Sequence, residues 1–115
     1  MDLEQELKVL LKGDVATDEA TLKTYSHDAS LFEVKPRVVV FPKDVEDIKK
    51  LVRFVSLRDI SRRETKEKGL SITVRGGGSE MTGGPLTESI VLDTTKYLNR
   101  IKEVGENFAV VEPGV

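Results

Sequence analysis

The chain has 115 residues, with no cysteine, no tryptophan and one histidine. Without cysteine there is no disulfide, no thiolate metal site and no cysteine nucleophile. That absence also fits a reducing compartment. Aromatic residues amount to 5%, so aliphatic side chains must build the core. No charge of one sign dominates: the net charge is −2, which gives no electrostatic footprint for nucleic acid or an anionic membrane surface. No apolar run approaches the roughly 20 residues that span a bilayer. The N-terminus, "MDLEQELKVLLKGD", is acidic and amphipathic, unlike the basic and then apolar pattern of a signal peptide. A 38% hydrophobic, 33% charged chain of this length reads as one soluble globular unit.

The apolar spacing supplies the elements. Leu3, Leu7, Leu10 and Leu11 recur at helical spacing, and Gly13 stands as the stop. A second short helix is expected from Thr17, presenting Leu22 and Tyr25. "RVVVFP" (Arg37 to Pro42) is β-branched and nearly unbroken, the pattern of a buried strand. Asp44 then caps a helix whose apolar stripe is Val45, Ile48, Leu51, Val52 and Val55, with Glu46 and Asp47 at its positive end. "SLRDISRRETKEKG" reads as the helix end and a solvated, mobile loop, because its basic residues are interleaved with acids. "LSITVRG" (Leu70 to Gly76) is a second strand, making a βαβ unit with parallel strands. Beyond the next loop, "SIVLDTT", "LNRIKEV" and "NFAVVEP" are short strands expected to open an antiparallel layer. The fold class is therefore α+β, with residues 1–86 an α/β part and 87–115 the start of an antiparallel part.

"ITVRGGGSEMTGGPL" (Ile72 to Leu86) puts five glycines and a proline into fifteen residues at the carboxyl end of the second strand. Ligands bind at that end in open α/β sheets. A Walker loop needs Gly-Lys-Ser/Thr, but Gly83 and Gly84 are followed by Pro85 and Leu86. The dinucleotide fingerprint needs a third glycine where Met81 stands, and a helix where a strand follows. Two readings remain. The glycine amides form an anion-binding nest, aided by the hydroxyls of Ser79 and Thr82 and the charge of Arg75, or the glycines only make a sharp turn between layers.

From "VRGGGSEMTGGPLTESIVLDTTKYLNRIKEVGENFAVVEPGV" and, upstream, "YSHDASLFEVKPRVVVFPKDVEDIKKLV", the chain resembles a known family. It is similar to the amino-terminal part of the FAD-binding domain in flavoproteins of the vanillyl-alcohol oxidase type. The nearest likeness is to the glycolate-oxidase and D-lactate-dehydrogenase-like 2-hydroxy-acid dehydrogenases. The matching motifs are Arg75 to Ser79, Thr82 to Gly84, Val91 to Asp93, Leu98 to Ile101 and Pro113 to Val115, with the Pro-flanked valine strand before its helix.

The resemblance implies FAD as cofactor, with Arg75, Gly76, Gly77, Gly78, Ser79, Thr82 and Gly83 around its pyrophosphate and Gly114 nearer the flavin ring. Attachment is expected to be non-covalent, because Ser79 stands where some relatives carry the linking histidine. His27 is read as a solvated or capping residue. The implied parent is a FAD-dependent oxidoreductase that oxidises a 2-hydroxy acid or similar alcohol by hydride transfer. Its small-molecule substrate would sit in a domain absent from this chain, so the chain alone is expected to be inactive and a truncated product. No catalytic residue and no metal ligand is assigned, and no nucleic acid or transmembrane segment is expected. The expected location is the cytoplasm, with any membrane contact made by parts outside this chain. Two alternatives stand beside this reading. One is a flavoenzyme like UDP-N-acetylenolpyruvoylglucosamine reductase, against which Glu80 replaces an expected asparagine; the other is a non-catalytic domain that keeps the fold without flavin.

Overall fold

Asp2 opens the first helix, α1 (Leu3–Leu10), with a capping box. Its carboxylate accepts from the Gln5 N–H at 2.9 Å, and the Gln5 side-chain oxygen accepts from the Asp2 N–H at 3.2 Å. The computed structural model describes residues 2–65 and 69–115, the side chains of residues 59–65 excepted. Helix α1 ends at Leu11, which turns extended. Gly13 is therefore not its stop. A Cβ on Gly13 would lie 2.0 Å from the Phe41 carbonyl oxygen, so the glycine serves a close backbone crossing.

A short strand, β1 (Asp14–Ala16), follows, and then α2 (Glu19–Thr24), capped by Asp18 through the Thr21 N–H at 3.0 Å. The remaining elements are β2 (Val38–Phe41), α3 (Val45–Thr65), β3 (Ile72–Arg75), β4 (Ile90–Asp93), β5 (Ile101–Val104) and β6 (Ala109–Val111). The first four strands form one sheet in the order β1-β2-β4-β3, and β5 pairs with β6 in a separate ribbon. Strand β1 runs antiparallel to β2, whereas β2, β4 and β3 are mutually parallel. The α+β architecture is as expected.

Strand placement follows from burial. In β2, Val38 and Val40 face a core with Leu7, Leu11 and Leu51, while Val39 faces the other side with Leu22. In β4, Ile90 and Leu92 join the first cluster and Val91 the second. Strands apolar on both faces belong in the middle of a covered sheet. This corrects one expectation: Ser89 to Thr95 does not open the antiparallel layer, but inserts β4 between β2 and β3. Only β5 and β6 are antiparallel there. Strand β3 takes the edge, where Val74 is exposed.

Helix α3 is longer than its sequence suggests, because neither Gly nor Pro interrupts Val45 to Thr65. Arg58 pairs with Glu6 of α1 and lies 5.1 Å from the Phe54 ring centroid. Ser56 to Thr65 is thus helix rather than loop; of the rest of the expected mobile segment, residues 66–68 lie outside the described residues and Gly69 is irregular. The apolar stripe narrows as well. Leu51 is buried and Ile48, Phe54 and Val55 pack beside it, while Val45 and Val52 are exposed.

One carboxylate ties the layers together. Asp47, 1% exposed in the first turn of α3, accepts from the backbone N–H groups of Lys12 at 2.9 Å, Gly13 at 2.8 Å and Lys43 at 2.8 Å. Burial opposes its charge, but the three donors outweigh burial and lower its pKa below the ordinary 3.8. The stabilisation from this lowered pKa is present above 3.8 and is lost as the pH falls through the lowered value. Asp47→Asn leaves buried N–H groups short of an acceptor, which should cost about 2–3 kcal/mol at neutral pH. Urea unfolding of both proteins from pH 7 downwards checks this. The gap between them should close as the pH falls below the ordinary aspartate value.

Candidate functional site at the glycine loop

Strands β3 and β4 end side by side, with Arg75 and Asp93 in register as their last residues. The glycine loop leaves the sheet there, at the carboxyl ends of three parallel strands. It lines an open cleft of about 470 Å³, within the range of small-molecule sites. Gly76, Gly77, Gly78 and Ser79 form one wall, and Met81, Gly84 and Pro85 line it further along. Among the described residues, nothing accepts from the N–H groups of Gly76, Gly77, Gly78 or Ser79. Four successive donors are thus left for an external acceptor.

The glycines divide by purpose. Gly78 has φ +73°, and a Cβ there would lie 2.2 Å from Arg75 Nη2. Gly83 has φ +81°, with the Phe32 ring 3.0 Å from where a Cβ would be. Both conformations are strained for other residues. Gly76 and Gly77 differ: a Cβ on either would meet nothing within 4 Å. The chain itself does not require glycine at those two places, so they read as room kept for something else.

Arg75 lies behind this wall rather than in it. Its guanidinium is packed against Gly78, with Cζ 4.9 Å from the Tyr25 ring centroid, and the residue is 8% exposed. Nη1 is fully buried and has no hydrogen-bond partner. An unpaired buried donor of this kind is costly. The Tyr25 hydroxyl donates to Asp93 Oδ2. Burial, and then that bond, push the tyrosine pKa well above its ordinary value. Asp93 Oδ1 accepts from the Thr95 N–H and hydroxyl, both at 2.6 Å.

The other expected site residues are placed as follows. The Thr82 hydroxyl donates to Glu80 Oε1 at 3.0 Å, and the Met81 N–H donates to the same oxygen at 3.1 Å. The Gly83 N–H donates to Asp28 Oδ2 at 3.0 Å, so that amide is occupied. Gly114 lies outside the cleft lining. Its N–H donates to the Leu98 carbonyl at 2.7 Å, and a Cβ would lie 2.0 Å from the Thr94 carbonyl oxygen. His27 is exposed, 3.4 Å from Glu33, which agrees with the solvated reading.

The sequence pattern does not mark Asp28, Tyr25 or Asp93 as site residues. Asp28 Oδ1 also takes the Ser30 N–H at 2.8 Å, and the Ala29 N–H donates to the Glu80 carbonyl at 2.9 Å, so the Asp28 turn buckles onto the loop. Burial raises the Asp28 pKa, but the donors from Ser30 and Gly83 more than offset it. The local signal was the Asp-x-Ser turn in "HDAS". Nothing local shows that it meets a loop more than fifty residues away.

Comparison with known proteins gives several relatives named D-2-hydroxyglutarate dehydrogenase. D-2-hydroxyglutarate dehydrogenase of Escherichia coli (strain K12) is 33% identical over 105 residues, which is 90% of this chain and 10% of that protein. The Stutzerimonas stutzeri protein of the same name is 30% identical over 115 residues, 96% of this chain and 23% of that one. The chain thus spans about a tenth of the first relative and about a quarter of the second. Among solved structures, 4-ethylphenol oxidase from Gulosibacter chungangensis superposes with a TM-score of 0.63 at 29% identity, covering 88% of this chain and 19% of that one. An alkyldihydroxyacetonephosphate synthase shares the fold, with a TM-score of 0.66 at 20% identity over 88% of this chain and 20% of its own. The family model for an FAD binding domain matches residues 36–115, from two residues before β2 through the glycine loop to the β5–β6 ribbon, and by that match this chain belongs to the FAD binding domain family.

Proposed function

We propose that this chain is the opening part of the FAD-binding domain of a flavin-dependent dehydrogenase, and that the complete protein oxidises a 2-hydroxy acid. One observation carries the reading: four successive backbone donors without partners line the cleft, and the buried guanidinium of Arg75, whose Nη1 has no partner, packs against one of them, Gly78. A pyrophosphate fits such a site, because its oxygens accept from several amides at once and its charge is complementary to Arg75. The relatives named D-2-hydroxyglutarate dehydrogenase favour a substrate that carries carboxylate as well as hydroxyl.

In this reading Gly76, Gly77 and Ser79 donate to phosphate oxygens, and Gly78 lets Arg75 approach from behind. Thr82 becomes available once Glu80 releases its hydroxyl. Gly83 and Gly114 act by holding the backbone, since their amides are taken by Asp28 and Leu98. The sheet with its loop forms the first part of the domain, and the β5–β6 ribbon begins the second. When bound, FAD supplies the two-electron acceptor for the alcohol carbon, and the protein's share here is binding and charge. No residue of this chain is assigned to substrate, and a cytoplasmic location belongs to the same reading.

Three measurements on the full-length gene product test it. Purified protein should carry flavin, and should reduce it when D-2-hydroxy acids are added; a colourless protein that takes up no FAD refutes the reading. Acid precipitation should leave the yellow flavin in the supernatant, because no histidine lines the cleft among the described residues and the chain has no cysteine. Gly77→Val should lose flavin while its melting temperature stays near wild type, because a Cβ there meets only open space in the unliganded chain. Gly78→Ala should lose both, since it strains the backbone by about 1–2 kcal/mol and displaces Arg75. Equal behaviour of the two variants would mean that the loop is only a turn.

A further inference from the structure

Arg75 and Asp93 stand in register on neighbouring parallel strands, which lie about 4.8 Å apart. Both are buried, at 8% and 3% exposure, and they carry opposite charges. Asp93 lies two residues beyond Val91, on the face packed against Leu22 and Tyr25. Buried opposite charges at such a spacing ordinarily pair, since mutual attraction offsets part of the cost of leaving water. Here they do not. Among the described residues no carboxylate reaches Arg75, and its Nη1 has no partner at all.

The residue that touches both is Tyr25. Its hydroxyl occupies Asp93 Oδ2, while its ring supports the guanidinium with Cζ 4.9 Å from the centroid. The other oxygen of Asp93 is filled by Thr95. Both oxygens of the carboxylate thus accept from neutral donors, and the arginine faces an aromatic ring. We propose that Tyr25 is a positioning residue that insulates Arg75 from Asp93, keeping the guanidinium unpaired beneath Gly78 for the anionic part of the nucleotide. The proposal rests on the flavin reading for the identity of that anion. The geometry of Tyr25, Arg75 and Asp93 does not.

The test is a pair of variants in the full-length protein, with FAD itself as the probe. Tyr25→Phe keeps the ring and removes the hydroxyl, so Asp93 Oδ2 must find another donor, and Arg75 is next to it. The dissociation constant for FAD, followed by quenching of flavin fluorescence, should rise about tenfold or more. Tyr25→Phe/Asp93→Asn removes the competing charge as well, and its affinity should return to within about threefold of wild type. A purely structural role for Tyr25 gives the opposite order, because the double variant has lost more contacts than the single one. Circular dichroism confirms that both variants are folded.

A crystal structure of the flavin-free Tyr25→Phe protein supplies a readout without the ligand: Arg75 should hydrogen-bond to Asp93. If wild-type protein binds no FAD but this pair forms in the variant, the flavin reading falls and the insulating role stands. If Arg75 and Asp93 stay apart in the variant, or the double variant binds FAD no better than the single, the insulating role is wrong.

Discussion

The constraint on which the rest depends is that two strands, β2 and β4, are apolar on both faces. Val38, Val39, Val40, Ile90 and Val91 are essentially inaccessible to water, so both strands must lie in the middle of a sheet covered on each side. Helices α1 and α3 cover one face and α2 the other. Once β4 is central, β3 can only flank it, and Arg75 comes to stand beside Asp93 at the carboxyl edge. The short turn after β3 then opens over the strand ends. The placement of free backbone amides beside a buried cation is thus a consequence of where the valines and isoleucines must go.

Much of this was legible because it is local. The valine run, the leucine spacing of α1, the Asp44 cap and the density of glycine after "ITVR" each carry their meaning within a dozen residues. What escaped depends on partners far along the chain. Strand order is one case: "SIVLD" announces a strand, but only the burial of Ile90 to Leu92 on both faces sends it between β2 and β3. Asp47 is another. At its position it reads as an acid favouring a helix N-terminus, whereas two of its three acceptor contacts reach Lys12 and Gly13, over thirty residues away. Asp28 reaches Gly83 across a still longer separation. Hydrogen bonds of this kind leave no periodicity to detect.

The five loop glycines also show how a structure sharpens a compositional signal. Glycine density could not choose between a turn and a cradle. Gly78 and Gly83 are accounted for by the fold alone, through positive φ and close neighbours. A loop that was only a turn would need glycine at those places and could carry any small residue at Gly76 and Gly77. Gly84, where a Cβ would make only ordinary contacts at 3.6 Å, is a third unconstrained glycine, and these three, which all line the cleft, are the part of the pattern that a turn does not explain.

Arg75 sharpens the same point from the side of energy. A guanidinium with a fully buried, unpaired nitrogen lowers the stability of the unliganded chain, since the lost hydration of Nη1 is not replaced. Ring contact with Tyr25 recovers a fraction of this, of the order of 0.5–2 kcal/mol for such pairs. An ion pair with Asp93 would satisfy the nitrogen, and the strand register already sets the two side by side, yet Asp93 is bonded by neutral donors instead. A fold under selection for stability alone would gain by closing that pair. Leaving it open makes sense where an anion completes the site, because the cost carried by the empty chain is then recovered on binding and adds to affinity. The same unpaired nitrogen that weakens the isolated fold would make its occupied form the more stable one.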